Sequence, residues 1–324
     1  MDNIITHTPW WRYAFFRLGR PLVELLLIDA VMKLKVINDE GCRNSHSKLR
    51  YRAVLSIAGS DSSGGAGIQA DLKTYSALGV YGATAITAVT AQNTLGVYAV
   101  ESLSPTIVRE QIVAVMEDIA PSVVKIGMLA NADVANAVAD TLSHYQTPIV
   151  LDPVMVSSSG HRLLSVEAEE VVKLRLLPMS QLITPNIPEM IALTHMPLST
   201  FDEKLAAADY LLSLGAQSLL LKGGHEDGDT KTDILYRRTE SGIATSYFTS
   251  ATITTKNIHG TGCTLSSAIA AYMARGLVAE EAVRRAKEYI AEAIKMGAGV
   301  SVGRGFGPVN HLFNPQKMLV YEER

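Results

Sequence analysis

The residues Asn257-Ile258-His259-Gly260-Thr261-Gly262-Cys263-Thr264 stand directly before TLSSAIAAYMAR, a stretch that reads as a helix. Glycines at a helix start let backbone N–H groups face outward without partners. Those donors and the positive end of the helix dipole make an anion site. A cysteine placed there has its thiolate favoured by the same field. The spacing points to a phosphate-stabilising turn, with Cys263 as base or contact residue at an acceptor. A tight turn with a buried structural cysteine is the alternative, because glycine-rich helix starts are common.

A second cluster is Gly59-Ser60-Asp61-Ser62-Ser63-Gly64-Gly65-Ala66-Gly67, followed by Gln69 and Asp71. No Gly-Lys-Ser/Thr closes it, so it is not a Walker A loop, and it does not fit GxGxxG. It is either a loop whose backbone approaches a small ligand, with Asp71 aimed at a polar ligand group, or a flexible connector with a solvated carboxylate. In Thr184-Pro185-Asn186-Ile187-Pro188-Glu189, Asn186 and Glu189 are three apart and share one face of a helical turn. An amide oxygen and a carboxylate suit magnesium, usually through water. Helix capping by Asn186, with Glu189 as the box partner, is the stronger reading of these residues taken alone. Lys222-Gly223-Gly224-His225 offers a mobile point charge suited to a nucleotide phosphate. His225 reads as a loop histidine.

Composition narrows the field. Among 324 residues, 48% are hydrophobic and 19% charged, which excludes a disordered or low-complexity chain. The net charge of −3 disfavours a general nucleic-acid binder. The two cysteines, Cys42 and Cys263, cannot build a disulfide framework, so a reduced, cytoplasmic setting is expected. There is no CxxC, HExxH or GxSxG, which leaves a zinc site and a hydrolase elbow without support. No run of about 18 uncharged apolar residues predicts a membrane span.

The elements that must position these residues alternate. Strands are predicted at 52–58, 83–91, 123–126, 148–151, 182–184 and 218–221. Helices are predicted at 67–78, 104–119, 133–145, 187–193, 201–214, 262–275 and 280–296, with another capped by Ser165. A hairpin is expected over 232–237 and 243–248, turned by Glu240-Ser241-Gly242. Strands alternating with helices imply a mostly parallel sheet covered on both faces. Ligands then sit beyond the carboxyl ends of the strands. The glycine-rich loop, Gln92-Asn93, Gly127-Met128, Asp152, Asn186 and Lys222-Gly223-Gly224 all follow strand ends there.

Residues 1–50 differ from the rest. They hold both tryptophans, Trp10 and Trp11, and carry a net +3, which leaves −6 on the remainder. A helix over 17–35 is expected. Glu24 and Asp29 interrupt the apolar core that a secretory signal needs. A membrane-surface or partner-binding helix competes with a poorly ordered extension or a misplaced start, with Met32 as an internal alternative; the last pair is preferred. The expected organisation is an atypical extension over 1–50 and one α/β domain over 51–324.

At 58–74 (AGSDSSGGAGIQADLKT), 91–94 (AQNT), 125–129 (KIGML), 184–189 (TPNIPE), 222–225 (KGGH) and 256–264 (KNIHGTGCT), the chain closely resembles the hydroxymethylpyrimidine/phosphomethylpyrimidine kinases of thiamine biosynthesis, in the ribokinase-like superfamily. The resemblance runs from about Arg52 to Phe313. It implies a three-layer α/β/α sandwich, a homodimer, ATP and Mg²⁺. The implied acceptors are 4-amino-5-hydroxymethyl-2-methylpyrimidine and its monophosphate. By motif position it implies that Gln92 binds the pyrimidine, with Asp71, Met128 and Gly59 in the same pocket. Asn186 and Glu189 match a magnesium and phosphate motif, and Lys222 the nucleotide side. Gly260, Thr261 and Gly262 match an anion hole. Cys263 takes the position where most ribokinase relatives carry an aspartate base. A Cys-type pyridoxal kinase and a non-catalytic pyrimidine sensor on the same fold are the competing functions.

Overall fold

The structure is a computed structural model that describes residues 48–156, 160, 162–223 and 228–323. The helix expected over 17–35, the rest of 1–47, Gly224 and His225 lie outside the described residues. Residues 51–321 pack as one compact unit. The chain runs β1 (Lys48–Tyr51), β2 (Ala53–Asp61), α1 (Gly67–Ala77), β3 (Tyr81–Asn93), β4 (Gly96–Ser102), α2 (Pro105–Asp118), β5 (Val123–Ile126), α3 (Ala132–Leu142) and β6 (Ile149–Leu151). It continues through α4 (Val166–Val171), β7 (Leu182–Ile183), α5 (Ile187–Thr194), α6 (Phe201–Ser213), β8 (Ser218–Leu221), β9 (Thr230–Thr239) and β10 (Gly242–Ala251). It closes with α7 (Thr261–Ala274), α8 (Ala279–Gly297) and β11 (Val320–Glu323), which pairs with β1 in a separate two-stranded sheet.

Nine strands form one sheet in the order β10-β9-β8-β7-β6-β5-β2-β3-β4. The pairings from β8 across to β3 are parallel, whereas β4 on one edge and β9–β10 on the other are antiparallel. Period-two alternation divides the apolar side chains between two cores. In β5, Val124 and Ile126 enter the core under α2 to α6, and Val123 enters the core under α1, α7 and α8. Helices on both faces make this the expected ribokinase-like α/β/α sandwich. Burying each Leu, Ile or Val contributes about 1.5–3 kcal/mol, so the two cores fix the sheet rigidly.

Local signals set the helix starts. Ser104 caps α2 by accepting from Ile107 N–H, with Pro105 in the first turn. Ser165 caps α4, which runs on through a π turn and a 3-10 turn, Val172–Leu176 and Leu177–Met179. The chain goes from β2 to β3 on one side and returns to β5 on the other, so the strand order reverses between β2 and β5. The crevice at such a reversal is where open α/β sheets bind ligands.

Candidate active site

A cavity of about 740 Å³ opens at these carboxyl strand ends. Its wall includes Gly59, Gln92, Met128, Asn186, Glu189, Lys222, Gly260, Thr261, Gly262 and Cys263. Eleven site residues were expected from sequence, and Asp71 is the exception to this grouping.

The glycine-rich loop is organised by Asp61. Its carboxylate accepts from the backbone of Ser63, Gly65 and Ala66 and from the Ser63 hydroxyl at 2.8–3.1 Å. It also pairs with His259 Nε2 at 2.8 Å, which ties the loop to the turn before α7. Burial alone would raise its pKa; the bonds from His259, Ser63 and Ala66 bring it down to about 2. The two segments touch closely. A Cβ on Gly260, whose φ is +79°, would lie 1.9 Å from Gly65 O. His259 Nε2 also lies 3.3 Å from the Gln92 amide, whose oxygen accepts from Thr90 at 3.1 Å. A register shift at Ala91/Gln92 in the β3–β4 pairing accompanies this placement.

Charged residues alternate in sign behind the wall. Lys125 Nζ meets both Asp71 oxygens at 2.9 and 3.0 Å, with neither side chain exposed. Ser56 and Ser267 hydroxyls donate to the same carboxylate, at 2.5 and 2.6 Å. Asp71 therefore does not reach a ligand as expected: its oxygens are spent on these groups, and Lys125, which holds it, lies buried directly behind the cavity wall. Burial opposes the Lys125 charge, but Asp71 holds its pKa well above the usual lysine range. At the end of β6, Asp152 accepts from Lys222 Nζ at 2.9 Å, Thr184 at 3.0 Å and Ser266 at 3.0 Å. Burial works against the Asp152 charge, yet Lys222 and Lys125 keep its pKa lowered. Lys222 also lies 3.6 Å from Glu189. Burial disfavours the Lys222 ammonium, and Asp152 and Glu189 more than restore it.

Asn186 caps α5. Its side-chain oxygen accepts from Glu189 N–H, and Glu189 Oε2 accepts from Asn186 N–H, both at 2.8 Å. The amide oxygen assigned to a metal is thus engaged as a cap, which corrects the expected donor pair. Glu189 Oε1 has no hydrogen-bond partner among the described residues and lies in the cavity wall. Burial and then Asp152 raise the Glu189 pKa despite Lys222. No group of three His, Cys, Asp or Glu able to hold a metal occurs among the described residues. Magnesium bound mainly through nucleotide phosphates needs only one or two carboxylates, and the open Glu189 oxygen fits that requirement.

No side chain caps α7 at Gly260. Thr261 N–H already donates to Ile258 O at 3.3 Å, so the Gly262 and Cys263 amides of the first turn are the donors an anion would meet. Cys263 there is only partly buried, and the nearby Gly67 amide favours its thiolate. The helix start does not win the competition for its proton. Burial pushes the thiol up to about 11, with Lys125 opposing and Asp71 and Asp152 adding to the rise.

The sequence reading passed over Lys125, Asp61 and His259 as site residues and left Asp152 only as a strand-end carboxylate. A lysine inside the apolar run VVKI was the available signal for the first.

A family model described as phosphomethylpyrimidine kinase matches residues 61–310. The chain belongs to the phosphomethylpyrimidine kinase family. A Bacillus subtilis hydroxymethylpyrimidine/phosphomethylpyrimidine kinase is 45% identical over 263 residues, covering 81% of this chain and 94% of that protein. The thiamine biosynthesis bifunctional protein ThiED of Geobacter sulfurreducens is 48% identical over 261 residues; the match covers 80% of this chain and 52% of that protein. The crystal structure of a phosphomethylpyrimidine kinase from Clostridium difficile is similar at a TM-score of 0.66 and 45% identity, covering 75% of this chain and 99% of that one. A Staphylococcus aureus pyridoxal kinase in complex with ADP aligns at a TM-score of 0.74 and 31% identity, covering 85% of this chain and all (100%) of that one. Phosphomethylpyrimidine kinases and pyridoxal kinases thus share this sandwich, and ATP is the phosphoryl donor such kinases use. Among the described residues, no helix is long and apolar enough to cross a membrane.

Proposed function

We propose that the chain phosphorylates the hydroxymethyl group of 4-amino-5-hydroxymethyl-2-methylpyrimidine, and then the monophosphate it forms, taking both phosphoryl groups from ATP in thiamine biosynthesis. The observation that carries the reading is one cavity whose wall holds the Gln92 amide, Lys222, Glu189 and the uncapped start of α7 with Cys263. An amide offers donor and acceptor together, which suits an aminopyrimidine edge. Met128 and Gly59 would form the flat floor beneath the ring, since a Cβ on Gly59 would meet Met128 Sδ at 2.9 Å.

Phosphoryl transfer depends on positioning and charge neutralisation more than on covalent chemistry. Lys222 supplies one fixed positive charge, and the amides of Gly262 and Cys263 at the start of α7 supply a second region of positive potential, with Thr261 N–H spent on Ile258 O. Glu189 is the residue that would hold magnesium, which would supply further neutralisation of phosphate charge. Asn186 acts through Glu189 by holding its other oxygen. A thiol near 11 is largely protonated at neutral pH. Protonated, Cys263 only contacts the hydroxymethyl oxygen; in its minor thiolate form, which Lys125 favours, it takes the hydroxymethyl proton as that oxygen bonds to the transferred phosphorus and the ADP oxygen leaves. Residues 51–324 carry this activity, residues 1–50 take no part in it, and the working unit is a homodimer in a cytoplasmic setting.

Incubating the full chain with ATP, Mg²⁺ and either the hydroxymethylpyrimidine or pyridoxal tests the reading. Turnover of the pyrimidine alcohol and then its monophosphate is expected. Turnover of pyridoxal alone overturns it, as does thermal stabilisation by the pyrimidine with no ADP formed.

A further inference from the structure

Asp233 stands on β9 and is almost wholly buried. Its carboxylate is divided between two partners. Oδ1 accepts from Gly223 N–H at 2.9 Å, and Oδ2 meets Lys287 Nζ of α8 at 2.7 Å. Asp233 and Lys287 both line the cavity. Nothing in the family motifs of this chain includes either residue.

Gly223 directly follows Lys222. The Lys222 N–H donates to Pro185 O at 2.9 Å, beyond the end of β7. Because β8 lies between β7 and β9, two successive amides are fixed from opposite sides. The backbone leaving β8 is held on the β7 side by a carbonyl and on the β9 side by a carboxylate. A buried carboxylate is costly without a partner, and Lys287 is the cation that neutralises it.

We propose that Asp233, neutralised by Lys287, is a positioning residue for the nucleotide side of the cavity: it pins Gly223 N–H and so sets where the Lys222 ammonium meets a nucleotide phosphate. The inference rests on the reading that Lys222 serves that phosphate. A carboxylate that only stabilised β9 would act on folding and not on one substrate.

Two double variants of the full chain separate these roles. Asp233→Asn with Lys287→Met keeps an acceptor for Gly223 N–H and strands no charge. Asp233→Leu with Lys287→Met removes the acceptor and also strands no charge, and apolar replacement of a buried ion pair is often neutral for stability. The Leu/Met pair is expected to raise KM for ATP about tenfold, the size of one lost hydrogen bond to a positioned amide. The Asn/Met pair is expected to stay within about threefold of the parent, and KM for the pyrimidine is expected to hold in both. Equal KM values for ATP in the two double variants overturn the inference, as does an equal rise in KM for the pyrimidine. Lys222→Ala is the control for the underlying reading. If it leaves KM for ATP unchanged, the assignment of Lys222 falls; if it raises KM while the two double variants agree with each other, only the role of Asp233 falls.

Discussion

Lys125 and Asp71 form an ion pair from which water is wholly excluded: Nζ sits 2.9 Å from one carboxylate oxygen and 3.0 Å from the other, and neither side chain has any exposure. Lysine and aspartate side chains are almost never fully buried unless paired. This pair joins α1, which carries Asp71, to β5, which carries Lys125, and Ser267 of α7 also holds it, one turn beyond Cys263. Removing one partner leaves a charge with no solvent and no counter-ion. Asp71→Ala is expected to cost about 3–5 kcal/mol of stability. Asp71→Asn combined with Lys125→Met is expected to recover most of that loss. Urea denaturation of the three proteins measures it, and a double variant less stable than Asp71→Ala contradicts the account.

Cys263 gives a kinetic prediction. With its thiol near 11, alkylation by iodoacetamide should be slow at pH 7 and rise steadily up to about pH 11. A plateau below pH 8 would show a thiolate already formed. Cys263→Ala should lower kcat by about 10²–10⁴ and leave KM for ATP nearly unchanged, as loss of a group acting on the transferred proton requires. Full kcat in that variant removes the role.

Gln92 is held at both ends of its amide, by Thr90 and by His259, so it meets a ligand already oriented. Gln92→Leu removes two hydrogen bonds of about 1 kcal/mol each. KM for the pyrimidine should rise about thirtyfold, with KM for ATP unmoved. Isothermal titration with the pyrimidine alone checks the same loss without turnover.

Two glycines of one turn should respond differently to the same added methyl. Gly260→Ala forces a Cβ to 1.9 Å from Gly65 O at a φ of +79°, so the two loops must separate and the protein should lose stability as well as activity. Gly262→Ala meets nothing nearer than Lys222 Nζ at 3.6 Å and Asp152 Oδ2 at 3.9 Å. It should fold normally and lose activity, because the methyl occupies space in front of the amides. Thermal melts beside turnover rates distinguish the two, and a Gly262→Ala enzyme of full activity would move the phosphate site elsewhere.

The motifs made the strand ends legible because each sits where an apolar run gives way to Gly, Asn or Asp. The hydrophobic runs placed every parallel strand of the sheet within a few residues. The edge strand β4 was missed, since no residue of GVYAVES is fully buried and it has no apolar face to announce it. Asp71 was misplaced because an acidic residue on a helix looks alike whether it faces a ligand or a buried lysine. Only the position of β5 relative to α1 decides between them. Asn186 shows the converse: the capping box read from spacing is present, and it consumes the oxygen that the family motif offered to a metal. Cys263 needed the surroundings of the helix start, because burial, Asp71 and Asp152 raise its thiol to about 11 despite Lys125.

Acid sensitivity should come in two stages, from two buried groups of opposite charge type. His311 is buried, accepts or donates at Thr264 Oγ1 over 3.0 Å, and has its pKa lowered to about 4 by burial and then by Lys73. The unfolded chain takes up a proton near 6.5, and the folded chain refuses it until about 4. Stability is therefore complete above about pH 6.5 and falls as pH drops toward 4, by about 3 kcal/mol. Asp61 has an ordinary value of 3.8 and a folded value of about 2. Its contribution is present above about pH 4 and is lost between there and pH 2, by about 2–3 kcal/mol. Urea midpoints measured from pH 8 to pH 2 should decline in the first window and again in the second for the parent protein. His311→Gln, which can still bond Thr264, should flatten that decline and leave the lower window in place. A decline of unchanged slope between pH 6.5 and 4 in His311→Gln would assign the first stage to other groups.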